Sequence, residues 1–384
     1  MKGRFDRFLP LSPAALHVLL AVASGERRSC GMRGKISRSV SRSQQSGARS
    51  ESCDICRFVD DFLLALIRDP RFPGKVNDIE VECGNSLYQP VLDRYIAGEN
   101  VPFTEVRKVW RDTTQSMCGQ SGFFEQLFPL VRAINQKLPT TKRLRVLAGD
   151  PPIDWDKVKT FEEAMKSVDR EASIASVMEK EVLSKHRKAL MLFGTFHLMH
   201  GIDDSAVSAY EKDYPNLTFV ISDLRVYDTD RPIASISPFA LWPNPSIALT
   251  KGTWLGALLL SDVFQSGIMI DPDCKMQIVL FPPRLQKQAQ KPMEHYIDAF
   301  LYLGPQEFRL SEPIPADIAL DADYMTELRR RESLMGEPSQ SPKDLNDEIV
   351  REAQNPILEG APRPSDARDI RQNCLDAKKR RCPR

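Results

Sequence analysis

The sequence predicts an α/β protein with a mostly parallel central sheet, helices on both faces, and disordered N- and C-terminal tails. Three observations carry this prediction. Short apolar runs alternate with longer stretches of helical period in the order strand, helices, strand, helix, strand, helix, strand, the pattern of crossover connections. Ala189 to Phe193 is continuously apolar and ends at Gly194, as suits a strand buried on both faces. A hydrophobic content of 42% over 384 residues supplies one large core.

The chain divides into residues 1–56, 57–310 and 311–384. Met1 to Phe8 is basic, Leu9 to Ala23 is mostly apolar, and Ala21-Val22-Ala23 has the small-x-small form of a leader-peptidase site. Residues 1–23 therefore fit an export leader, interrupted by Pro10, Pro13 and His17; if it acts as one, the protein is periplasmic, and otherwise cytoplasmic. No apolar stretch reaches the roughly 18 residues of a spanning helix, so no transmembrane segment is expected. Glu26 to Ser50 holds six Arg, one Lys, one acid and seven Ser, a composition of a solvated, disordered tail. It lacks the interleaved aromatics that stack bases, and the net charge is +1, so no nucleic-acid partner is expected. The eight cysteines are scattered rather than arranged as a dense disulfide framework, and Cys53-Asp54-Ile55-Cys56, a lone CxxC, reads as chance placement.

Ordered structure is expected from Arg57. Phe62, Leu63, Leu66 and Ile67 have helical spacing and stop before Pro70. Asp78 to Cys83 reads as a strand turning at Gly84-Asn85, followed by a helix over Leu87 to Ala97 that Gly98 ends. Thr104 caps a helix expected to run through Met117, and Phe123 to Leu138 continues in helical period, kinked or divided at Pro129. Leu144 to Ala148 is a strand running into the stiff loop Gly149-Asp150-Pro151-Pro152-Ile153-Asp154-Trp155. Asp169 caps a helix reaching about His186, with Ile174, Val177, Met178 and Val182 on one stripe. Strands follow at Ala189 to Phe193 and Leu217 to Ser222. From Tyr227 to Ser266 prolines and Trp242 and Trp254 predict a long insertion that could act as a lid. Met276 to Phe281 and Ala299 to Leu303 recover strand character, and beyond about Ser333 the chain becomes polar and then basic.

This order puts Glu82, Asp150 and His197 past the carboxyl ends of neighbouring parallel strands, where open α/β sheets bind ligands. Two carboxylates and an imidazole there can activate a water, with His197 or Glu82 taking its proton. They can also hold a divalent metal, with Glu82 and His197 as ligands, although one histidine and two acids are few for zinc and no HExxH is present. His197 reads equally as a structural histidine closing a turn. Asn85, Asp150, Asp154 and His200 complete the candidate binding residues, with the two aspartates also read as loop caps and His200 as lying behind the site or exposed. Tyr88 and Tyr302 read as core residues rather than haem ligands. No Walker or dinucleotide fingerprint and no G-x-S-x-G elbow occurs, which excludes those nucleotide and serine-hydrolase classes.

Four segments carry a resemblance: Asp78 to Gln89 (DIEVECGNSLYQ), Gly149 to Trp155 (GDPPIDW), Gly194 to His197 (GTFH) and Asp298 to Gly304 (DAFLYLG). Over about 57–310 the chain resembles a bacterial branch of the haem-binding-uptake/Tiki (ChaN-like) superfamily, which includes erythromycin-esterase-like proteins. The resemblance implies a glutamate at an early strand end, matched by Glu82, and a Gly-x-x-His after a later strand, matched by His197. In relatives these serve as a general base or metal ligands. It implies a hydrolase-like protein acting on an ester or amide or, alternatively, a non-catalytic haem- or iron-binding protein or an inactive member, with a divalent metal or haem as possible cofactor and a small molecule as ligand or substrate. The family's glycine-glutamate-histidine motif, normally carried ahead of the glutamate strand, has no match upstream of Val59, so either the first strand is lost or the N-terminus is not the ancestral one, and Phe196 stands where relatives carry something smaller.

Overall fold

Apolar runs of strand length become the sheet, and the capped helical stretches cover it. The structure, a computed structural model, describes residues 8–9, 19–24, 57–166, 169–203, 205–223, 245–260, 267–270, 276–279, 290–303, 314–336 and 341–354. Strands β1 (Phe8–Leu9) and β2 (Leu19–Ser24) come first, then helix α1 (Arg57–Arg68) and β3 (Asp78–Asn85). Helices α2 (Gln89–Ala97), α3 (Phe103–Arg111) and α4 (Gly122–Asn135) lead to β4 (Arg145–Asp150). Short α5 (Phe161–Met165) and α6 (Arg170–Val177) return the chain to β5 (Ala189–Gly194). After it come α7 (Thr195–Leu198), α8 (Ala206–Tyr210) and β6 (Thr218–Asp223). β7 (Ser246–Leu249) and β10 (Ala299–Tyr302) extend the sheet, β8 (Gly267–Ile270) and β9 (Met276–Val279) pair separately, and α9 (Ala322–Met335) and α10 (Pro342–Gln354) follow.

The main sheet has the order β1-β7-β10-β6-β2-β5-β3-β4. Its strands from β10 to β4 are parallel, while β7 pairs antiparallel with β10, and β1 with β7. Side chains alternate between faces along a strand, so β4, β5, β6, β7 and β10 each contribute to two cores. On one face Ile79, Val81, Leu190, Leu192, Ile221 and Leu301 pack with side chains of α1, α2, α3 and α4. On the other, Leu147, Met191, Phe193, Val220 and Phe300 pack with side chains of α6 and α8. The mostly parallel sheet with helices on both faces is thus the architecture observed, and its parallel strands deliver their carboxyl ends to one edge.

Several boundaries differ from expectation. Leu19–Ser24, the end of the stretch that fits an export leader, is an internal strand: β2 lies between β5 and β6 and pairs in parallel with both. An apolar run of this length suits a buried strand as well as a leader, and cleavage after Ala23 would remove most of it. Among the described residues β2 is thus a parallel strand that precedes β3 in the chain. The helix begun at Phe103 stops at Arg111 rather than Met117, and Pro129 sits inside α4 without dividing it. The helical path from Asp169 continues beyond α6 through a π-turn at Met178–Val182 and a tight turn at Leu183–Lys185. Most of the expected lid over 227–266 lies outside the described residues, but its Ser246–Leu249 portion is a sheet strand on β10 instead of a cover. The expected disordered tail after 311 contains α9 and α10, whose Tyr324, Met325, Leu328 and Leu345 form a small core. The basic tail at 26–50, the CxxC at Cys53 and Cys56, and Lys378 to Arg381 lie outside the described residues. Among the described residues no helix is long and apolar enough to cross a membrane.

Candidate functional site

Glu82 reaches the carboxyl edge through an irregularity in the β3–β4 ladder. Val81 pairs with Ala148 but Asn85 with Asp150, so four steps along β3 oppose two along β4. Such irregularities re-aim side chains beside active sites. Gly84 permits the close approach, since a Cβ there would lie 2.8 Å from the Ala148 Cα.

The Glu82 side chain is buried and its lone pairs are engaged: Oε2 accepts from the Gly194 N–H at 2.6 Å, and Oε1 accepts from Arg170 Nη2 at 3.0 Å and Gln115 Nε2 at 3.1 Å. Asp150, fully buried at the end of β4, accepts from Arg170 Nε at 2.8 Å through Oδ1 and from the Thr114 N–H at 2.7 Å and hydroxyl at 2.8 Å through Oδ2. Burial pushes the Asp150 carboxyl upward, opposed by Arg170 and Thr114. For the Arg170 guanidinium, burial favours the neutral form, but Asp150 and Glu82 outweigh it and raise its pKa further. Arg170 is held here because it opens α6 directly after Asp169, whose carboxylate caps the helix by accepting from the Ala172 N–H at 3.2 Å.

His197 stands on the single turn α7 that follows β5. Its Nδ1 lies 2.7 Å from Glu171 Oε1, while Glu171 Oε2 accepts from the Ala206 N–H at 3.0 Å and so holds the carboxylate in place. Its Nε2 is 3.3 Å from Arg170 Nη1 and 3.6 Å from Glu82 Oε1. Burial works against a charged imidazole, but the Glu171 charge and hydrogen bond, followed by Glu82, raise its pKa to about 9. In the neutral form the partners assign the tautomer: Nδ1–H donates to Glu171, and Nε2 accepts.

The other expected residues take different roles. Asn85 is a buried brace whose Nδ2 donates to the carbonyls of Asp112 and Ile153 at 2.7 and 2.8 Å, while its Oδ1 accepts from the Leu87 N–H at 2.9 Å. Asp154 caps its own loop, accepting from the Asp156 N–H at 3.2 Å and pairing with Lys157 at 2.8 Å. His200 ties Glu211, 2.9 Å from Nδ1, to Asp298, 3.0 Å from Nε2; those contacts overcome burial and raise it to about 9. Tyr88 lies 3.3 Å from Asp112 Oδ2, and Tyr302 is core. Glu82, Asp150 and His197 therefore come together as the sequence predicts, and Asn85, Asp154 and His200 support surrounding structure.

Sequence reading missed Arg170, Glu171, Thr114 and Gln115. A signal for the first two was present: a helix that follows a parallel strand starts at the carboxyl edge, and Asp169-Arg170-Glu171 starts one.

The donor set does not fit a metal. Among the described residues no group of three or more His, Cys, Asp or Glu could hold one. Arg170 also takes Glu82 Oε1 and Asp150 Oδ1, the oxygens a cation would need. Haem fits no better at His197, because Nε2, the ring nitrogen that Glu171 leaves over, faces the Arg170 guanidinium at 3.3 Å.

No protein-family model matches the chain, and no curated protein matches it. Among solved structures, a protein from Bacillus cereus is similar over 75% of this chain and 89% of its own, with a TM-score of 0.40 and 10% identity, a likeness too slight to bear on fold or activity.

Proposed function

We propose that this crevice hydrolyses an ester or amide, with His197 as the group that moves the proton, and that the chain is a divergent ChaN-like protein. The observation that carries the reading is the Glu171–His197 pair, which fixes one ring nitrogen and turns the other toward Glu82 and Arg170. Neutral His197 accepts a proton at Nε2 from a water as the water oxygen bonds to the acyl carbon. When the tetrahedral adduct collapses, the imidazolium returns that proton to the departing oxygen or nitrogen. Glu171 orients the ring and stabilises the imidazolium, as the carboxylate of a catalytic triad does. Glu82, with three donors on its oxygens, is the poorer base and serves instead as the acceptor opposite Nε2.

The sign of the pH dependence follows from the raised pKa of His197. The base form is scarce at pH 7 and grows about tenfold per pH unit up to about 9, so kcat/KM should climb with unit slope and level there. The test is turnover of nitrophenyl esters and anilides across pH by wild type, His197→Ala and Glu171→Gln, with circular dichroism to check folding. His197→Ala should cost about 100-fold or more, the usual contribution of a general base. Wild-type turnover in a folded His197→Ala variant would refute the assignment.

A further inference from the structure

We infer that Arg170 takes the position of a divalent cation in this crevice, holding Glu82, Asp150 and His197 together and polarising the substrate carbonyl with its remaining N–H groups. The first half stands on geometry alone. The guanidinium lies among two carboxylates and an imidazole from three different strand ends: Nε reaches Asp150 at 2.8 Å, Nη2 reaches Glu82 at 3.0 Å, and Nη1 lies 3.3 Å from His197 Nε2. An arginine fork is suited to this because it is planar, permanently charged and a donor on every edge. Its charge offsets two buried carboxylates that would otherwise be costly to keep ionised, which is the service a metal performs in a comparable donor set. Metal and Arg170 are therefore mutually exclusive occupants.

The second half rests on the hydrolytic reading above. A guanidinium has five N–H donors, of which three are directed at Asp150, Glu82 and His197. A carbonyl oxygen that draws Nη1 away from His197 leaves the Nε2 lone pair to receive the water proton and sets the acyl carbon beside that water. The negative charge that develops on this oxygen is met by a fixed cation. The substrate class that fits is a neutral acyl ester or amide rather than a phosphate, because Glu82, Asp150 and Glu171 together leave the cluster no surplus positive charge.

The test is a titration of the full chain with Co2+ by calorimetry and visible absorption, on metal-stripped wild type, Arg170→Ala, Arg170→Lys, and Arg170→Ala combined with His197→Ala. Wild type should bind no stoichiometric Co2+ and keep its Tm in EDTA. Arg170→Ala should melt earlier, then gain one Co2+ per chain at least about 100-fold more tightly than wild type, with a rise in Tm and absorption bands that the added His197→Ala removes. Arg170→Lys, which keeps the charge without the fork, should bind no metal and lose turnover. If Arg170→Ala does not fold, Arg170→Gln replaces it in the same titration. Stoichiometric Co2+ in wild type, or a folded Arg170→Ala or Arg170→Gln variant that gains none, overturns the inference. Esterase assays on wild type read the hydrolytic proposal separately: absent turnover removes the carbonyl-binding half and leaves the metal titration to decide the other.

Discussion

Glu80 shows how differently one residue type is used within a single strand. Asp78, Glu80 and Glu82 share a face of β3, opposite to the face of Ile79 and Val81. Arg187 takes Asp78 at 2.6 and 2.7 Å and Arg170 takes Glu82, but neither oxygen of the fully buried Glu80 has a partner. Its neighbours in register are Leu147 on β4 and Met191 on β5. Burial first, and the Asp78 charge second, raise its pKa well above the ordinary carboxylate value. The folded state therefore keeps a proton that the unfolded chain releases near pH 4.5. Stability is fully present below that pH and declines by about 1.4 kcal/mol per pH unit above it, until the folded carboxyl itself ionises. Glu80→Gln removes the titrating group, so its Tm should exceed that of wild type at pH 8 and converge with it near pH 4; melting curves across pH check this, and parallel Tm profiles for the two proteins would rule it out. The alternation D-I-E-V-E was legible as a strand, and Glu82 as the carboxylate at its end. Which arginine serves which acid was not, because Arg170 and Arg187 reach β3 across sequence separations of 88 and 109.

At the scale of elements, the end of β3 is tied to the loop that supplies half of the site's donors. A disulfide joins Cys83, next to Glu82, with Cys118 across 35 residues. Between α3 and Cys118 lie Thr114, which bonds Asp150, and Gln115, which bonds Glu82. Both sulfurs are buried in the core that α1 to α4 share with the sheet. Closing a loop of this length is worth about 3–4 kcal/mol in chain entropy, so Cys83→Ala with Cys118→Ala should lower the urea-unfolding free energy by about that amount. Turnover at the proposed site should fall with it, as Gln115 and Thr114 lose their anchor; an unchanged midpoint would show that the cross-link constrains nothing. The sequence offered no route to this pair, because eight scattered cysteines allow many pairings. The elements themselves were far more legible: β4, β5, β6 and β10 fall where apolar runs placed them, since a strand buried on both faces needs such a run, and β3 falls where the alternation over Asp78 to Cys83 placed it. β2 was the exception. An apolar segment behind a basic start satisfies a leader and an internal strand equally, and the pairing of Leu19–Ser24 with β5 and β6 is not written in its composition.

At the scale of the whole molecule, the chain after the last sheet strand returns to brace the loops around the crevice. α9 is capped by Asp321, which accepts from the Tyr324 N–H at 3.0 Å, and ends at Gly336 in the left-handed region at φ 71°. Composition concealed it, because its inward residues include Arg331 and Glu332 beside Tyr324, Met325 and Leu328, and arginine reads as surface until its partners are known. Those partners are loops. Arg330 donates to the carbonyls of Trp155 and Val158 at 2.7 and 2.8 Å, and Arg331 donates to the Arg111 carbonyl at 3.1 Å and to Asp112 at 2.9 Å while stacking 5.1 Å from the Trp155 ring centre. Asp112 directly precedes the Thr113-Thr114-Gln115 segment, and Asn85 holds the Asp112 carbonyl from beneath. Arg331 thus fixes from above what Asn85 fixes from below. Removing one member of a buried charged pair costs about 3–5 kcal/mol, so Arg331→Ala should destabilise the protein by about 3 kcal/mol, the lower end, since Asp112 keeps some exposure. Arg331→Lys should recover part of that and not the stacking on Trp155. In the folded fraction of Arg331→Ala, limited proteolysis should cut within 112–121 faster than in wild type, because the loop has lost its outer support. Chemical denaturation of the three proteins, read beside the cleavage rates, decides the matter: an Arg331→Ala variant as stable and as resistant as wild type would make α9 a passenger on the domain rather than a brace for its crevice.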